Sequence, residues 1–306
     1  MAHYRLLTYF ADTGAPRAGL LVGGEVFDLA AAAAAAGRAG GLDWTATLSV
    51  LKNWEATQPV LQALAAAAPA VAGRPLDKVR LMAPILYPAS IYCAAANYYD
   101  HHREMTGQEL DKGKLAPYFF LKTSSSVVGP GAEIRLPVEY TRQCDWEAEI
   151  GVVIGRAARN VSTANAMSHV AGYTIVNDLS ARDRRHRDDW PFRSDWFGQK
   201  CFETSAPMGP WITPAAAVPD PHALAIRLWV DDRLEQDSSS REMVFDIPEQ
   251  IAAISRQITL RPGDVIATGT CAGVGNAKGR FLQPGQRCRI EIEGLGTLEN
   301  PVVAGL

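Results

Sequence analysis

Residues 145–154 read DWEAEIGVVI, and residues 171–183 read AGYTIVNDLSARD. Each stretch is an apolar, strand-like run with carboxylates at one end. In a strand, residues two apart share a face, so Glu147 and Glu149 project together at the start of an otherwise apolar segment. Two carboxylates side by side in a partly buried place repel each other, and a cation between them removes that cost. For a lone Glu-x-Glu, a solvated strand start is the plainer alternative. Asp178, at the end of the second run, supplies a third carboxylate. Three carboxylates plus water form a hard-oxygen site that suits Mg²⁺ or Mn²⁺ better than Zn²⁺, because no Cys or His falls at ligand spacing. Whether the three meet is a question for the tertiary structure.

Strand signals dominate the flanking sequence. They cover 91–95, 118–121, 147–154, 173–176, 224–230, 264–268 and 288–292. Helices are expected at 98–105, at 162–170 with Ser162 as N-cap, and at 248–258 with proline in the first turn. Many strands, few helices and no regular strand–helix alternation predict a β-rich α+β fold. Before residue 85 the pattern differs. Strands are expected at 4–10, 18–22 and 25–29, with Gly23-Gly24 as a tight hairpin turn. The alanine run 30–36 and the Trp44, Leu48, Leu51, Trp54, Leu61, Leu64 pattern read as short helices. A small N-terminal α+β domain over 1–84 and a catalytic domain over 85–306 are the expected division.

The chain has 306 residues, 47% of them hydrophobic and 21% charged, with a formal net charge of -3. That length suffices for a full core, and that charge lacks the basic footprint of a nucleic-acid binder. No apolar run approaches a membrane span, and the N-terminal segment has no apolar signal core. Five dispersed cysteines without a CxxC pair argue against a disulfide framework and point to a reducing cytoplasm. There is no GxxxxGK[ST] loop, no GxGxxG after a first strand and no GxSxG elbow. Nucleotide binding and α/β-hydrolase serine chemistry are not expected.

The segment NYYDHHRE at 97–104 offers a base. If it is helical, His101 and Glu104 lie at i and i+3 and face each other. A carboxylate on one imidazole nitrogen sets the tautomer and raises the basicity of the other. A surface His–Glu pair is the plainer alternative. His102 would point about 100° away from His101. His3, His169, His186 and His222 have no ligand-like partners nearby in sequence. Cys271 as a nucleophile would need an activating base and a lowered pKa.

Taken in order, these pieces resemble the fumarylacetoacetate hydrolase superfamily. They are NYYDHHRE (97–104), FLK (120–122), DWEAEIGVVIG (145–155), AGYTIVNDLSARD (171–183) and GQKCFETSAPMGPWI (198–212). The Gln236 region, LRPGDVIATGTCAGVG (260–275) and GLGTLENPV (294–302) complete the set. The resemblance covers most of residues 85–306. It implies a mixed β-roll catalytic fold, usually dimeric, with a variable N-terminal domain. It implies metal ligation by Glu147, Glu149 and Asp178, and a water-activating dyad of His101 and Glu104 on a lid-like segment. It places Lys122, Arg182, Lys200 and Thr270 along the substrate pocket.

The chain departs from the family's pattern at Arg185, where glutamine is common, at Ala95–Tyr98, at Cys271, and over the long 184–197 segment RRHRDDWPFRSDWF. The expected function is metal-dependent hydrolysis of a carbon–carbon bond in a 2,4-dioxo acid of acylpyruvate or fumarylpyruvate type. Metal and lysine, Lys122 or Lys200, would stabilise the released enolate. The alternative is decarboxylation or enol–keto isomerisation of a 2-oxo acid. Arg185 is expected to bind a negative or strongly polar distal group on the substrate, unless it pairs with Asp188 or Asp189. No nucleic-acid or membrane partner is expected.

Overall fold

The structure, a computed structural model, describes residues 4–191 and 193–305; His3 lies outside the described residues. Two large sheets carry the fold. The longer one has twelve strands. Its central run is Arg5–Phe10, Ala206–Pro214, Val170–Asn177, Ala148–Ile154, Val265–Thr270, Ile91–Ala94 and Phe119–Lys122. Ile91–Ala94 and Val265–Thr270 run parallel, and the neighbouring pairs in this run are antiparallel. The second sheet orders Arg233–Ser239, Ala225–Val230, Arg287–Ile292, Gly296–Ala304 and Ile134–Leu136. The chain is thus a β-rich α+β fold of the expected kind.

Period-two alternation explains how the layers stack. Ile150, Val152 and Ile154 face one core, with Ile226, Leu228, Ile290 and Ile292 of the second sheet and Ile251 and Ile254 of the Ile247–Gln257 helix. Val153 and Val176 face the other core, built with Leu6, Leu20, Leu51, Leu61 and Met208. Strands covered on both faces read as near-continuous apolar runs, which is why 150–154 carries no polar residue. The second core draws on residues from both the N-terminal region and the rest of the chain. Among the described residues no helix is long and apolar enough to cross a membrane.

The Gly23-Gly24 turn forms as expected. Both glycines take positive φ, and Val22 pairs with Glu25 across a two-residue loop. The expected helix at 162–170 is shorter. One α-turn, Thr163–Ala166, passes into a 3-10 turn at Met167–His169. Val170 instead opposes Ile154 in the sheet, where a β-branched side chain packs well. Ser162 occupies the N-cap position, but its side chain makes no capping bond. Three strands carried no clear sequence signal: Ala206–Pro214, Arg233–Ser239 and Gly296–Ala304. Pro207, Pro210 and Pro214 argue against a central strand, because proline cannot donate to the ladder. Here that strand pairs irregularly, with a register shift opposite Tyr173 and Ile175.

The Ile247–Gln257 helix is set by a reciprocal cap. The Asp246 carboxylate accepts from the Glu249 N–H, and the Glu249 carboxylate accepts from the Asp246 N–H, both at 2.8 Å. Asp246→Ala should lower unfolding stability by about 1 kcal/mol. A urea titration reads this directly, and an unmoved midpoint would mean that the cap contributes nothing.

Candidate active site

Strand pairing builds the acidic cluster. Glu149 lies on the Ala148–Ile154 strand, Glu147 one residue before it, and Asp178 one residue beyond Val170–Asn177. Ala148 opposes Asn177, and the Asp178 N–H donates to the Glu147 carbonyl at 2.9 Å. Asn177 Oδ1 accepts from the Glu147 N–H at 3.0 Å. One ligand oxygen from each of Glu147, Glu149 and Asp178 lies within 4.8 Å of the others, and all three residues are buried.

Three cations share this volume. Lys200 Nζ donates to Glu147 Oε2 and Asp178 Oδ2, each at 2.7 Å. Lys122 Nζ stands 2.8 Å from Asp178 Oδ1 and donates to the Leu179 and Lys200 carbonyls at 3.0 and 2.7 Å. Arg182 Nη2 is 2.6 Å from Glu147 Oε1, and its Nε donates to Asp145 Oδ2 at 2.8 Å. The N–H groups of Gly275 and Asn276 complete the Asp145 carboxylate at 2.7 and 2.9 Å. Asp145, Glu147, Glu149 and Asp178 therefore outnumber Lys122, Arg182 and Lys200 by one negative charge.

Glu149 carries that imbalance. Its Oε2 accepts from the Gly269 N–H at 2.8 Å, and among the described residues no basic side chain pairs with it. Burial, with Asp178 and Glu147 nearby, pushes its carboxyl well above the usual glutamate range. Burial also works to raise Glu147, but Lys200 and Arg182 hold it well below that range. A divalent cation fits this donor set: three clustered carboxylates, hard oxygen ligands and an uncompensated negative charge.

The dyad forms on the Tyr99–Thr106 helix. His101 Nδ1 is 3.7 Å from Glu104 Oε2, an ion-pair separation and not a hydrogen bond. Glu104 is held from behind, its two oxygens accepting from the Gly273 N–H at 3.0 and 2.9 Å. Burial opposes ionisation of Glu104, yet the His101 ring and that N–H keep its carboxyl below the ordinary value.

A cavity of about 360 Å³ joins these parts. Its wall includes His101, Glu147, Glu149, Arg182, Lys200 and Thr270, and also Arg185, Trp196 and Gln199. His102 also reaches the wall, but its ring has no carboxylate partner like Glu104. Lys122 is not among the lining residues and sits behind Asp178. Thr270 presents no free hydroxyl proton: Oγ1 accepts from Gln236 Nε2 at 2.9 Å and donates to the Ala148 carbonyl at 3.0 Å. Burial pushes the Cys271 thiol up, the opposite of what a nucleophile needs. Asp145, Gln199 and Gln236 were not singled out as site residues in the sequence. Asp145 adjoins the Glu-x-Glu pattern, and Gln199 and Gln236 fall in stretches that carry the family resemblance, signals that could have been used.

Comparison with known proteins gives the family. Residues 90–303 match the family described as fumarylacetoacetate (FAA) hydrolase C-terminal. An oxaloacetate tautomerase named as mitochondrial from Xenopus laevis is 41% identical over 232 residues, 74% of this chain and 69% of that protein. The oxaloacetate tautomerase YisK of Bacillus subtilis (strain 168) is 39% identical over 230 residues, 74% of each chain. The crystal structure of maleylpyruvate hydrolase from Sphingobium sp. SYK-6, in complex with manganese(II) and pyruvate, superposes with a TM-score of 0.76. It is 32% identical and covers 99% of this chain and 100% of that one.

Two outcomes test the electrostatics. Lys122→Met removes one partner of a buried pair and should cost about 3 kcal/mol of unfolding stability; a loss under about 1 kcal/mol would mean that Asp178 does not depend on it. In metal-free protein, Glu149 has a raised folded-state pKa. Its stabilising contribution is therefore complete below the ordinary value of 4.5 and is lost as pH rises through the folded-state value. Chemical denaturation in EDTA should show wild type losing stability relative to Glu149→Gln as pH climbs above 4.5. Equal pH dependence in the two proteins would contradict this.

Proposed function

This chain belongs to the fumarylacetoacetate hydrolase family, and on that premise we propose that it interconverts the enol and keto forms of a 2-oxo acid with a divalent metal ion bound. The observation that carries the reading is the cavity whose wall includes His101 together with Glu147, Glu149, Arg182 and Lys200. Both tautomerases named above support the choice of reaction.

We assign Glu147, Glu149 and Asp178 as the residues that hold the ion, Mg²⁺ or Mn²⁺. When bound, such an ion supplies Lewis-acid stabilisation of charge developing on the 2-oxo oxygen. His101 is the proton carrier. Its Nδ1 is buried toward Glu104, so Nε2 is the ring nitrogen left for the cavity. In the keto-to-enol direction the C3–H bond breaks, the proton passes to His101, the electron pair becomes the C2–C3 double bond, the C2=O π pair moves onto oxygen, and that oxygen takes a proton from solvent to give the enol. The reverse direction returns that proton to C3. Glu104 orients the ring and favours its charged form, the role expected of a carboxylate on the second imidazole nitrogen. The separation of 3.7 Å closes when substrate tightens the site, as is common for catalytic hydrogen bonds.

Lys200 and Arg182 act mainly on the carboxylates, keeping Glu147 ionised and aimed. Lys122 acts through Asp178 and is a positioning residue. We also place the boundary between a small N-terminal unit and the catalytic unit near residue 84.

A second reading keeps the same residues. The likeness to a maleylpyruvate hydrolase over nearly the whole chain favours carbon–carbon hydrolysis of a 2,4-dioxo acid. His101 would then take a proton from water attacking the 4-carbonyl, and the bond between C3 and C4 would break to give two acids. Product mass spectrometry in D₂O separates the two: an intact acid made heavier by the deuterium taken up at C3, or two fragments.

His101→Gln should lower kcat by about 10²–10⁴, the usual scale for losing a general base, while His102→Gln changes it little. EDTA should abolish turnover and Mn²⁺ or Mg²⁺ restore it. Full activity in the His101 variant, or after exhaustive chelation, would refute the assignment.

A further inference from the structure

We propose that Lys278, held by the buried Glu235 carboxylate, is a positioning residue for the His101–Glu104 dyad, and that it acts through the backbone of Gly273. The inference deepens the proposed function, since it rests on His101 being the proton carrier.

Glu104 leans on one backbone donor: both of its oxygens accept from the Gly273 N–H. Where that N–H stands is decided by what holds Gly273. The Gly273 carbonyl accepts from Trp146 Nε1 at 3.1 Å and from Lys278 Nζ at 3.3 Å. Lys278 Nζ is itself fixed by Glu235, donating to its carbonyl at 2.8 Å and to its Oε2 at 3.1 Å. Arg280 Nη2 pairs with the same Oε2. The Glu235 side chain is almost wholly buried, so its charge depends on these two cations. Lys278 is not among the residues that line the cavity, and its ion-pair partner is Glu235, not Glu104. One ammonium therefore ties the Glu235 carboxylate, the Glu235 backbone and the Gly273 backbone together at the loop on which Glu104 rests.

The backbone at Gly273 is tightly placed. Its φ is +105°, and a Cβ there would stand 2.1 Å from the Glu235 carbonyl oxygen and 2.8 Å from Gln236 Cα. The chain at Gly273 thus lies directly against Glu235 and Gln236, and Gln236 Nε2 donates to the Cys271 carbonyl at 2.9 Å. Lys278 closes that contact, because it bonds both sides of it. A carboxylate that orients a base needs a fixed rest of its own, since misplacing a group by about 1 Å can cost about 10² in rate. The Lys278 ammonium also adds positive charge near Glu104. Burial raises the Glu104 carboxyl, while the His101 ring, the Gly273 N–H and then Lys278 lower it. Geometry and charge at Lys278 therefore serve the same end, an ionised Glu104 held at one place beside His101.

Amide exchange and kinetics test this on the Mg²⁺-loaded protein. Lys278→Met should speed hydrogen exchange at the Gly273 N–H, read by NMR, by about ten-fold, because local opening becomes easier. With the enol form of oxaloacetate as the probe, the same variant should lower kcat by about ten-fold and leave KM within about two-fold, the pattern of lost orientation and not of lost binding. Arg280 still answers Glu235 in this variant, which keeps the buried carboxylate paired, and Lys278→Arg should restore most of both readouts. The decisive comparison is made in a Glu104→Gln background. There Lys278→Met should lower kcat no further, since residues that act as one unit are not additive. Arg227→Met, which breaks a surface pair with Asp237, should change neither readout. An unmoved Gly273 exchange rate in Lys278→Met, or equal kcat losses in the wild-type and Glu104→Gln backgrounds, would overturn the positioning role. A wild type inert toward the enol would remove the proton-carrier reading alone, and the exchange result would then decide whether Lys278 holds Gly273 against Glu104.

Discussion

Four carboxylates, Asp145, Glu147, Glu149 and Asp178, are packed out of water within one small region, and like charges buried together are tolerable only with counter-charge. Lys122, Arg182 and Lys200 supply most of it, each tied to a named oxygen. These ties reach beyond the site. Lys122 links the Phe119–Lys122 strand to Leu179 and Lys200, and Asp145 reaches Gly275 and Asn276. The same contacts that neutralise the site therefore hold the sheet ends, the loop after Asp178 and the Trp196–Lys200 helix in fixed relation. The one charge left over, on Glu149, is where a divalent ion has the most to gain.

The helical side of the site is built differently. Glu147, Glu149 and Asp178 lie on or next to the ends of buried sheet strands, whereas His101 and Glu104 ride on a two-turn helix with no fully buried residue. That helix is anchored at its start. Asn97 bonds the Phe245 and Thr268 carbonyls, and Asp100 accepts from Ser238 and from the His101 N–H. Its far end stops at Gly107 in the left-handed conformation. A lightly packed helix beside a tightly bonded acidic cluster is the element that opens first, since weakly packed elements open at low free-energy cost.

Much of this was legible in the chain. The apolar runs at 150–154 and 172–176 announced strands buried on both faces, and the acids at their ends announced the cluster. The i, i+3 spacing of His101 and Glu104 announced the dyad, because helical geometry is local. The Ala206–Pro214 strand was hidden, because its prolines argue against a central position and only its neighbours on both sides hold it there. The helix expected over 162–170 gave way at Val170 because pairing with Ile154 outweighs local helix signals.

What the sequence determined by itself are the features set by nearest neighbours: strand faces, the Gly23-Gly24 turn, the helical pairing of His101 with Glu104, and the identity of the acids. The tertiary structure alone decided which cations answer which carboxylates. Lys122 and Lys200 are both lysines placed near strand or helix ends, and nothing local tells them apart. Packing puts Lys122 behind Asp178 and Lys200 on the cavity wall. In the same way it leaves Arg185 without an acid while Arg187, two residues on, takes Asp189. Coulomb interactions and hydrogen bonds depend on distance through space, and for cation–carboxylate pairs 22 to 56 positions apart that distance exists only once the sheets have closed.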